Sequence, residues 1–130
     1  MKTAAYRPIA SGALHDIFTA LTESVSEAVF VIEPSTGRLL EANPQAASVL
    51  GYTRAELLTP QAEQIFSTGT EFWQQIATDN RTSSHSGGKL VTKHGRSLWS
   101  VVTAHTVAYH GRTAVLVIAH DAKQLPKSLR

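Results

Sequence analysis

The chain has 130 residues, of which 42% are hydrophobic and 17% charged, and this is the size and composition of one globular domain. It contains no cysteine, which excludes disulfides, thiolate metal sites and a cysteine-linked chromophore. The longest purely apolar run, Ala114–Ala119, is far shorter than the roughly 20 residues of a membrane helix, and no signal peptide is visible. We therefore expect a cytoplasmic domain without membrane insertion.

The net charge of +2 results from two oppositely charged parts of the chain. Residues 14–80 carry two arginines against nine carboxylates, whereas residues 81–130 carry eight basic residues against one carboxylate. This separation fits a dipolar domain that docks on a partner or on a second copy, and it equally fits two solvated faces. The basic residues form no dense stripe, so no nucleic-acid partner is expected.

The N-terminal part is predicted to contain a leader and one helix. Residues 1–12 show no hydrophobic periodicity, which is typical of a flexible leader. Residues 13–26 carry one apolar stripe at helical spacing, formed by Leu14, Ile17, Phe18, Leu21 and Val25. This pattern predicts an amphipathic helix that packs its stripe against another surface.

Two strands are predicted after this helix. The short run Ala28–Ile32 is rich in β-branched residues, which favours a buried strand. A turn ending in Gly37 follows, and Arg38–Ala42 is predicted to return as the second strand.

Capping residues mark the short helices that come next. Asn43 can accept hydrogen bonds from free backbone amides and Pro44 needs no donor in the first turn, so a helix is predicted from here to Gly51. Thr53 and Glu56 have the spacing of a capping box, which predicts a second short helix.

The segment that follows is predicted to be helical and then irregular. Residues 60–66 are expected to form a further helical piece, and residues 83–88 a loop. Residues 70–80 are expected to form a helix whose buried side carries Phe72, Trp73 and Ile76.

Three β-segments close the chain, at Lys89–Thr92, Ser97–Tyr109 and Arg112–Asp121. A three-residue turn with a left-handed Gly95 places Leu90 on one face with Leu98, whereas a two-residue turn would bury lysines on that face. The three-residue turn is therefore predicted. The order of helix, two strands, short helices and three antiparallel strands predicts an α+β fold.

Several segments resemble the PAS (Per-Arnt-Sim) sensor-domain family over residues 13–122. The family's Asn…Leu-Gly-Tyr-[Ser/Thr]-x-x-Glu-Leu signature is matched by Asn43, Leu50, Gly51, Tyr52, Thr53, Glu56 and Leu57. The segments Lys93–Trp99 and Val117–Asp121 resemble the family's Lys-x-Gly-x-x-x-Trp element and its terminal strand. The chain departs from the family at Thr59-Pro60, where a glycine is usual, and after Asp121.

The resemblance implies a five-stranded antiparallel sheet, with short helices over one face and the N-terminal helix on the other. It implies that residues 123–130 begin a linker to a C-terminal output domain. The implied function is a sensory role in signal transduction, as the N-terminal input module of a longer bacterial-type protein. The implied output is a histidine kinase or a diguanylate cyclase or phosphodiesterase, and the chain itself, with no catalytic residue set, is expected not to be an enzyme.

The resemblance also implies a small-ligand pocket over the face of the sheet that carries small side chains. Its predicted lining is Leu50, Phe66, Phe72, Ile76, Leu90, Ser100, Val102, Ala104 and Ala119. The alternative is that these residues form a filled core without a ligand.

The opposite face would expose a large apolar patch, so a second surface is expected to cover it. The N-terminal helix is the obvious cover, from the same chain or from a second subunit. The predicted homodimer interface consists of Leu14, Ile17, Phe18, Leu21, Trp99, Val101, Tyr109, Leu116 and Ile118.

The six histidines do not predict a metal or haem site. His94 and His110 precede turn glycines, at positions where histidine tolerates a positive φ, so the turns explain the presence of these two histidines. Even as diagonal neighbours on the outer face, His85 and His105 would supply only two ligands, fewer than a zinc site needs. Haem-binding PAS domains commonly place a histidine on the helix matching residues 70–80, which has none.

We therefore expect no bound cofactor, with haem and flavin disfavoured. The sequence is also compatible with two alternative functions. One is a ligand-free protein-interaction module, and the other is a haem- or flavin-binding redox or gas sensor.

Overall fold

The computed structural model describes residues 11–59, 65–66, 70–79 and 83–124. Its five strands form one antiparallel sheet with the order β2-β1-β5-β4-β3. In chain order the elements are α1 (Ser11–Thr22), β1 (Ala28–Ile32), β2 (Leu39–Ala42), α2 (Pro44–Leu50), α3 (Arg54–Leu57), α4 (Thr70–Asp79), β3 (Ser83–Val91), β4 (Ser97–Tyr109) and β5 (Arg112–Gln124). The predicted α+β class is confirmed.

Alternation along the strands divides the sheet into an inner and an outer face. On the inner face, Phe30 lies opposite Val117, and both belong to the buried core cluster that includes Leu50 of α2 and Trp73 of α4. On the outer face, Val31 lies opposite Glu41, whose carboxylate contacts His15 of α1. The short helices therefore cover the inner face and α1 lies on the outer one, as the resemblance implied.

Asn43 joins the start of α2 to the segments before it. Its side chain is buried, and Oδ1 accepts hydrogen bonds from the backbone amides of Ala46, at 2.9 Å, and Val29, at 3.0 Å. Its Nδ2 donates to the carbonyl oxygens of Thr22, at 3.2 Å, and Glu27, at 2.9 Å. The predicted helix cap is confirmed, and the same side chain also fixes the end of α1 and the start of β1.

The turn between β3 and β4 has the predicted three-residue form. Gly95 is left-handed with φ of 87°, and its amide donates to the Thr92 carbonyl at 3.0 Å. In the resulting register Leu90 lies opposite Leu98 in the core, and Lys89 lies opposite Trp99 on the outer face. The expected assignment of the two faces is thus confirmed.

The expectation of a loop at residues 83–88 is wrong. These residues form the first part of β3, with a bulge between Ser86 and Gly88. Serine and glycine have low β-propensity, but the 13-residue strand β4 offers backbone partners along its whole length, and these override the local preference. The bulge places His85 opposite Val102, so His85 and His105 are not diagonal neighbours in the sheet.

The ends of several elements differ from the sequence-based boundaries. Helix α1 spans Ser11–Thr22 rather than residues 13–26, so two residues of the expected leader are helical. Strand β5 extends to Gln124, beyond the expected start of the linker at residue 123, because the backbone of β4 continues to offer partners there. Strand β2 starts at Leu39, one residue later than expected.

Two expected segments lie partly outside the described residues. Of the helical piece expected at residues 60–66, the structure describes Ile65, which is buried, and Phe66, which forms a β-bridge with Leu90. Residues 1–10 of the expected leader and Asn80 of the expected helix also lie outside them.

Replacing Asn43 by alanine is expected to lower the free energy of unfolding by about 2–4 kcal/mol, because a helix cap and several buried hydrogen bonds are lost together. The measurement is urea-induced unfolding followed by circular dichroism. Ser48→Ala, at an exposed position of the same helix, is the control and should change the free energy by less than about 0.5 kcal/mol. Equal effects of the two substitutions would contradict the role assigned to Asn43.

Candidate functional site: the two faces of the sheet

The structure brings the predicted pocket residues together on the inner face. Eight of the nine belong to the buried core cluster or pack against it, with Phe66 and Phe72 only partly buried. The ninth, Ser100, is buried on the same face, and its hydroxyl donates to the carbonyl oxygen of His120 at 2.7 Å. This hydroxyl is therefore already satisfied within the protein.

Aromatic side chains pack over the small residues of the inner face. Phe66 makes edge-to-face contacts with Phe30, at 5.1 Å between ring centroids, and with Trp73, at 5.5 Å. Phe72 contacts Trp73 in the same way at 5.0 Å. Trp73 was expected on the buried side of its helix but not among the lining residues. Its ring now accounts for part of the volume above the sheet.

A small cleft opens at one end of the inner face. It has a volume of about 110 Å³, and its walls include Ala119 from the predicted lining. The rest of its wall consists of Ser26, Glu27, Ala28, Gln45, Val49 and Ala122. A small-ligand site on this face remains a prediction.

A buried carboxylate organises one part of the outer face. The Glu41 side chain is 3% exposed, and its Oε1 accepts hydrogen bonds from Arg54 Nη2 at 2.8 Å and from His15 Nδ1 at 2.9 Å. The Tyr109 hydroxyl donates to Oε2 of the same carboxylate. One side chain of β2 thus connects α1, α3 and β4.

These contacts shift the pKa values of both Glu41 and Tyr109. Burial by itself raises the pKa of Glu41, but the hydrogen bonds from Tyr109, His15 and Arg54 together outweigh it, and the pKa lies below its usual value. Burial, followed by the hydrogen bond to Glu41, raises the pKa of Tyr109. Glu41 is therefore ionised and Tyr109 neutral around pH 7.

Sequence reasoning missed this cluster. Glu41 stands in a short strand where a solvent-facing carboxylate would be ordinary, and its partners are separated from it by 26, 13 and 68 residues. The sequence feature that could have indicated this cluster is the position of Glu41 on the outer face, next to the N-terminal helix expected to cover that face.

A second polar chain joins the entry and exit strands of the domain. His120 Nδ1 lies 2.7 Å from Glu27 Oε2, and its Nε2 lies 2.9 Å from the Thr103 hydroxyl. Glu27 precedes β1 and His120 lies in β5, so these polar contacts connect the start of the sheet to its last strand.

The predicted interface residues fall into an exposed and a half-buried group. The exposed ones are Ile17 and Leu21 of α1, at 44% and 71%, and Trp99 and Val101 of β4, at 44% and 47%. The half-buried ones are Phe18, Tyr109, Leu116 and Ile118. Leu14 lies in α1, and its side chain is outside the described part of the structure.

The described residues offer neither a metal site nor a membrane-spanning helix. They contain no group of three or more His, Cys, Asp or Glu side chains placed to hold a metal ion. None of the helices in this part of the chain combines the length and apolar character needed to cross a membrane.

The positive φ expected at both turn histidines is found at His110, with 51°, but not at His94, because Gly95 supplies the left-handed residue of that turn.

Comparison with known proteins identifies similar domains. A family model described as PAS fold matches residues 17–122. A sensor histidine kinase/response regulator domain from Geobacter sulfurreducens is 23% identical, with a TM-score of 0.63 over 85% of this chain and 96% of that one. The PAS domain of an HTR-like protein from Haloarcula marismortui is 18% identical, with a TM-score of 0.67 over 81% of this chain and 88% of that one.

A curated relative is a much longer protein. The methyl sulfide methyltransferase-associated sensor of Methanosarcina acetivorans is 21% identical over 116 residues, which cover 85% of this chain. The match spans 11% of that relative's length.

Replacing Glu41 by glutamine is expected to lower the free energy of unfolding at pH 7 by about 1–3 kcal/mol, because hydrogen bonds to a buried charge are weakened. A carboxylate whose pKa is depressed on folding contributes stability above its unfolded pKa, and that contribution disappears as pH falls through the folded pKa. The difference between the two proteins should therefore be largest above about pH 5 and shrink toward pH 3. Chemical unfolding over this pH range measures it, and a difference that stays constant with pH would contradict the assignment.

Proposed function

Because this chain belongs to the PAS family, whose domains are sensory modules rather than catalysts, we propose that it is the sensory and dimerisation module of a longer signalling protein. PAS domains occur in signalling proteins such as histidine kinases. The module we propose forms a homodimer, responds to a signal and regulates an attached output domain.

The observation that carries the proposal is the exposed apolar surface on α1 and β4. Ile17 and Leu21 lie one helical turn apart, and Trp99 and Val101 alternate onto the outer face of the sheet. An apolar surface rimmed by polar residues is typical of a protein–protein interface. The excess of carboxylates in residues 14–80 and of basic residues in residues 81–130 also fits docking of a second copy.

The attached output domain is proposed from the membership of the PAS family and from the similarity to sensor proteins. The match to the Methanosarcina sensor covers a small fraction of that protein, which leaves room for other domains there. We propose a C-terminal output domain in the cytoplasm, either a histidine kinase or a diguanylate cyclase or phosphodiesterase. Strand β5 ends the described chain and contacts both β1 and β4, so a shift of the sheet would reach the exit of the domain directly.

Replacing Leu21 by glutamate is expected to shift the dimer toward monomer by at least about tenfold in dissociation constant, because a charge would be buried in an apolar contact. Val101→Glu should act in the same direction on the other side of the interface. Sedimentation equilibrium over a range of protein concentrations gives the constant.

The matched control is Gln75→Glu, which adds the same charge at an exposed position of α4 on the other side of the sheet. Circular dichroism checks that all three variants remain folded. A wild-type chain that is monomeric at high concentration, or a Leu21→Glu variant as dimeric as the control, would contradict the proposal.

A second candidate, binding of a small ligand on the inner face, is favoured by the cleft that reaches Ala119. The packing of Phe66, Phe72 and Trp73 favours the ligand-free alternative, in which this face is a filled core. The two alternatives differ in whether the purified protein carries a second molecule.

The protein as purified under non-denaturing conditions is expected to be colourless in the visible range, because the chain has no cysteine and no histidine on α4 to hold a chromophore or haem. A Soret or flavin band would contradict this and identify a redox, gas or light sensor. Native mass spectrometry of the same sample separates the remaining alternatives. An added mass that is lost on denaturation indicates a bound ligand, and the mass of the chain alone indicates a ligand-free module.

A further inference from the structure

We propose that a cleft between the ends of two β-hairpins, separate from the ligand site predicted on the inner face, binds a small apolar monocarboxylate. This hairpin cleft has a volume of about 220 Å³ and lies between the β1–β2 hairpin and the β4–β5 hairpin. Its apolar walls are Leu40, Ala114 and the ring of Tyr109, and its polar walls are Glu33, His110 and Arg112. A mostly apolar concave site with a few polar groups is typical of small-molecule binding.

Arg112 supplies the cationic group of the hairpin cleft. The Arg112 side chain is exposed and has no hydrogen-bond or ionic partner among the described residues, so its guanidinium is available for a planar carboxylate. Glu33 is half-buried, and its Oε1 accepts a hydrogen bond from the Thr36 hydroxyl at 2.7 Å. Its negative charge disfavours a second anionic group, and the apolar walls favour an aliphatic or aromatic body.

The residue at the tip of the β4–β5 hairpin forms one wall of this cleft. His110 and Gly111 are both left-handed, with φ of 51° and 75°, as a two-residue type I′ turn requires. The turn accounts for the backbone of His110, because histidine is among the residues enriched at positive φ. Its imidazole packs edge-on against Tyr109, with ring centroids 4.2 Å apart, and forms part of the cleft wall.

Tyr109 connects the hairpin cleft to α1. Its ring lines the cleft, while its hydroxyl donates to Glu41, which also contacts His15 of α1. A carboxylate ligand that binds in the cleft and repositions the Tyr109 ring would change the hydrogen bonds that hold α1 on the sheet. This relay rests on the proposed sensory function, whereas the binding itself does not.

The binding test uses ¹⁵N-labelled protein titrated with sodium benzoate, with benzamide as the uncharged isostere. Benzoate is expected to cause saturable amide shifts at Leu40 and at residues 112–114, and benzamide to bind at least about tenfold more weakly. Arg112→Gln should weaken benzoate binding by a similar factor. Arg96→Gln, at the corresponding Gly-Arg position of the β3–β4 turn, is the matched control and should leave binding unchanged.

The relay is tested with Tyr109→Phe, which keeps the ring and removes the hydroxyl. In the wild type, benzoate is expected to shift the His15 amide as well as residues 112–114. In Tyr109→Phe the shifts at residues 112–114 should remain and the His15 shift should disappear. A His15 shift that persists in Tyr109→Phe would overturn the relay.

The site is overturned if benzoate and benzamide shift the same amides with equal affinity, if Arg112→Gln binds like Arg96→Gln, or if the shifts map to the inner face. The Val101→Glu variant distinguishes this failure from that of the dimer proposal. It should bind benzoate like the wild type whether or not dimers form, because Val101 does not line the cleft.

Discussion

The side chain of Asn43 is the interaction on which the arrangement of this domain depends. It is buried, and it satisfies its acceptor and donor groups with backbone partners from the end of α1, the residue before β1, β1 itself and α2. A buried amide without partners is costly, so these four segments keep their relative positions as long as the amide is satisfied. The entry of the chain into the sheet and the first inner-face helix are therefore fixed together.

Glu41 has the corresponding role on the outer face, but with a charged group. Its carboxylate holds His15, Arg54 and Tyr109, which come from α1, α3 and β4. Among the described residues, no buried side-chain nitrogen or oxygen lacks a hydrogen-bond partner. Polar contacts to Glu41 and Asn43 thus anchor α1, while Ile17 and Leu21 on the same helix remain exposed. A helix held in this way is well placed to respond to a partner that covers its apolar side.

The long strands β4 and β5 determine how the two faces communicate. They pair over almost their whole length, and their side chains alternate between the core cluster and the outer face. Displacement of either strand therefore alters both faces at once. A bulge in β3, and one in β5 opposite the segment from Trp99 to Val101, shift the pairing of these strands locally.

The sequence alone determined the features that rest on short-range chemistry. The cap at Asn43, the glycine end of α2, the capping box of Thr53 and Glu56, and the Gly95 turn each involve residues within four positions, so local patterns were sufficient to predict them. The alternation of β4 and the family signature likewise predicted the sheet and its inner lining.

The tertiary structure decided the features that rest on distant partners. Residues 83–88 became a strand only because β4 was present to pair with them, and the bulge there brings His85 opposite Val102. Glu41 acquired partners up to 68 residues away, and the hairpin cleft formed between two turns that the sequence places far apart. Local preference cannot encode such contacts, because they exist only once the sheet has brought the segments together.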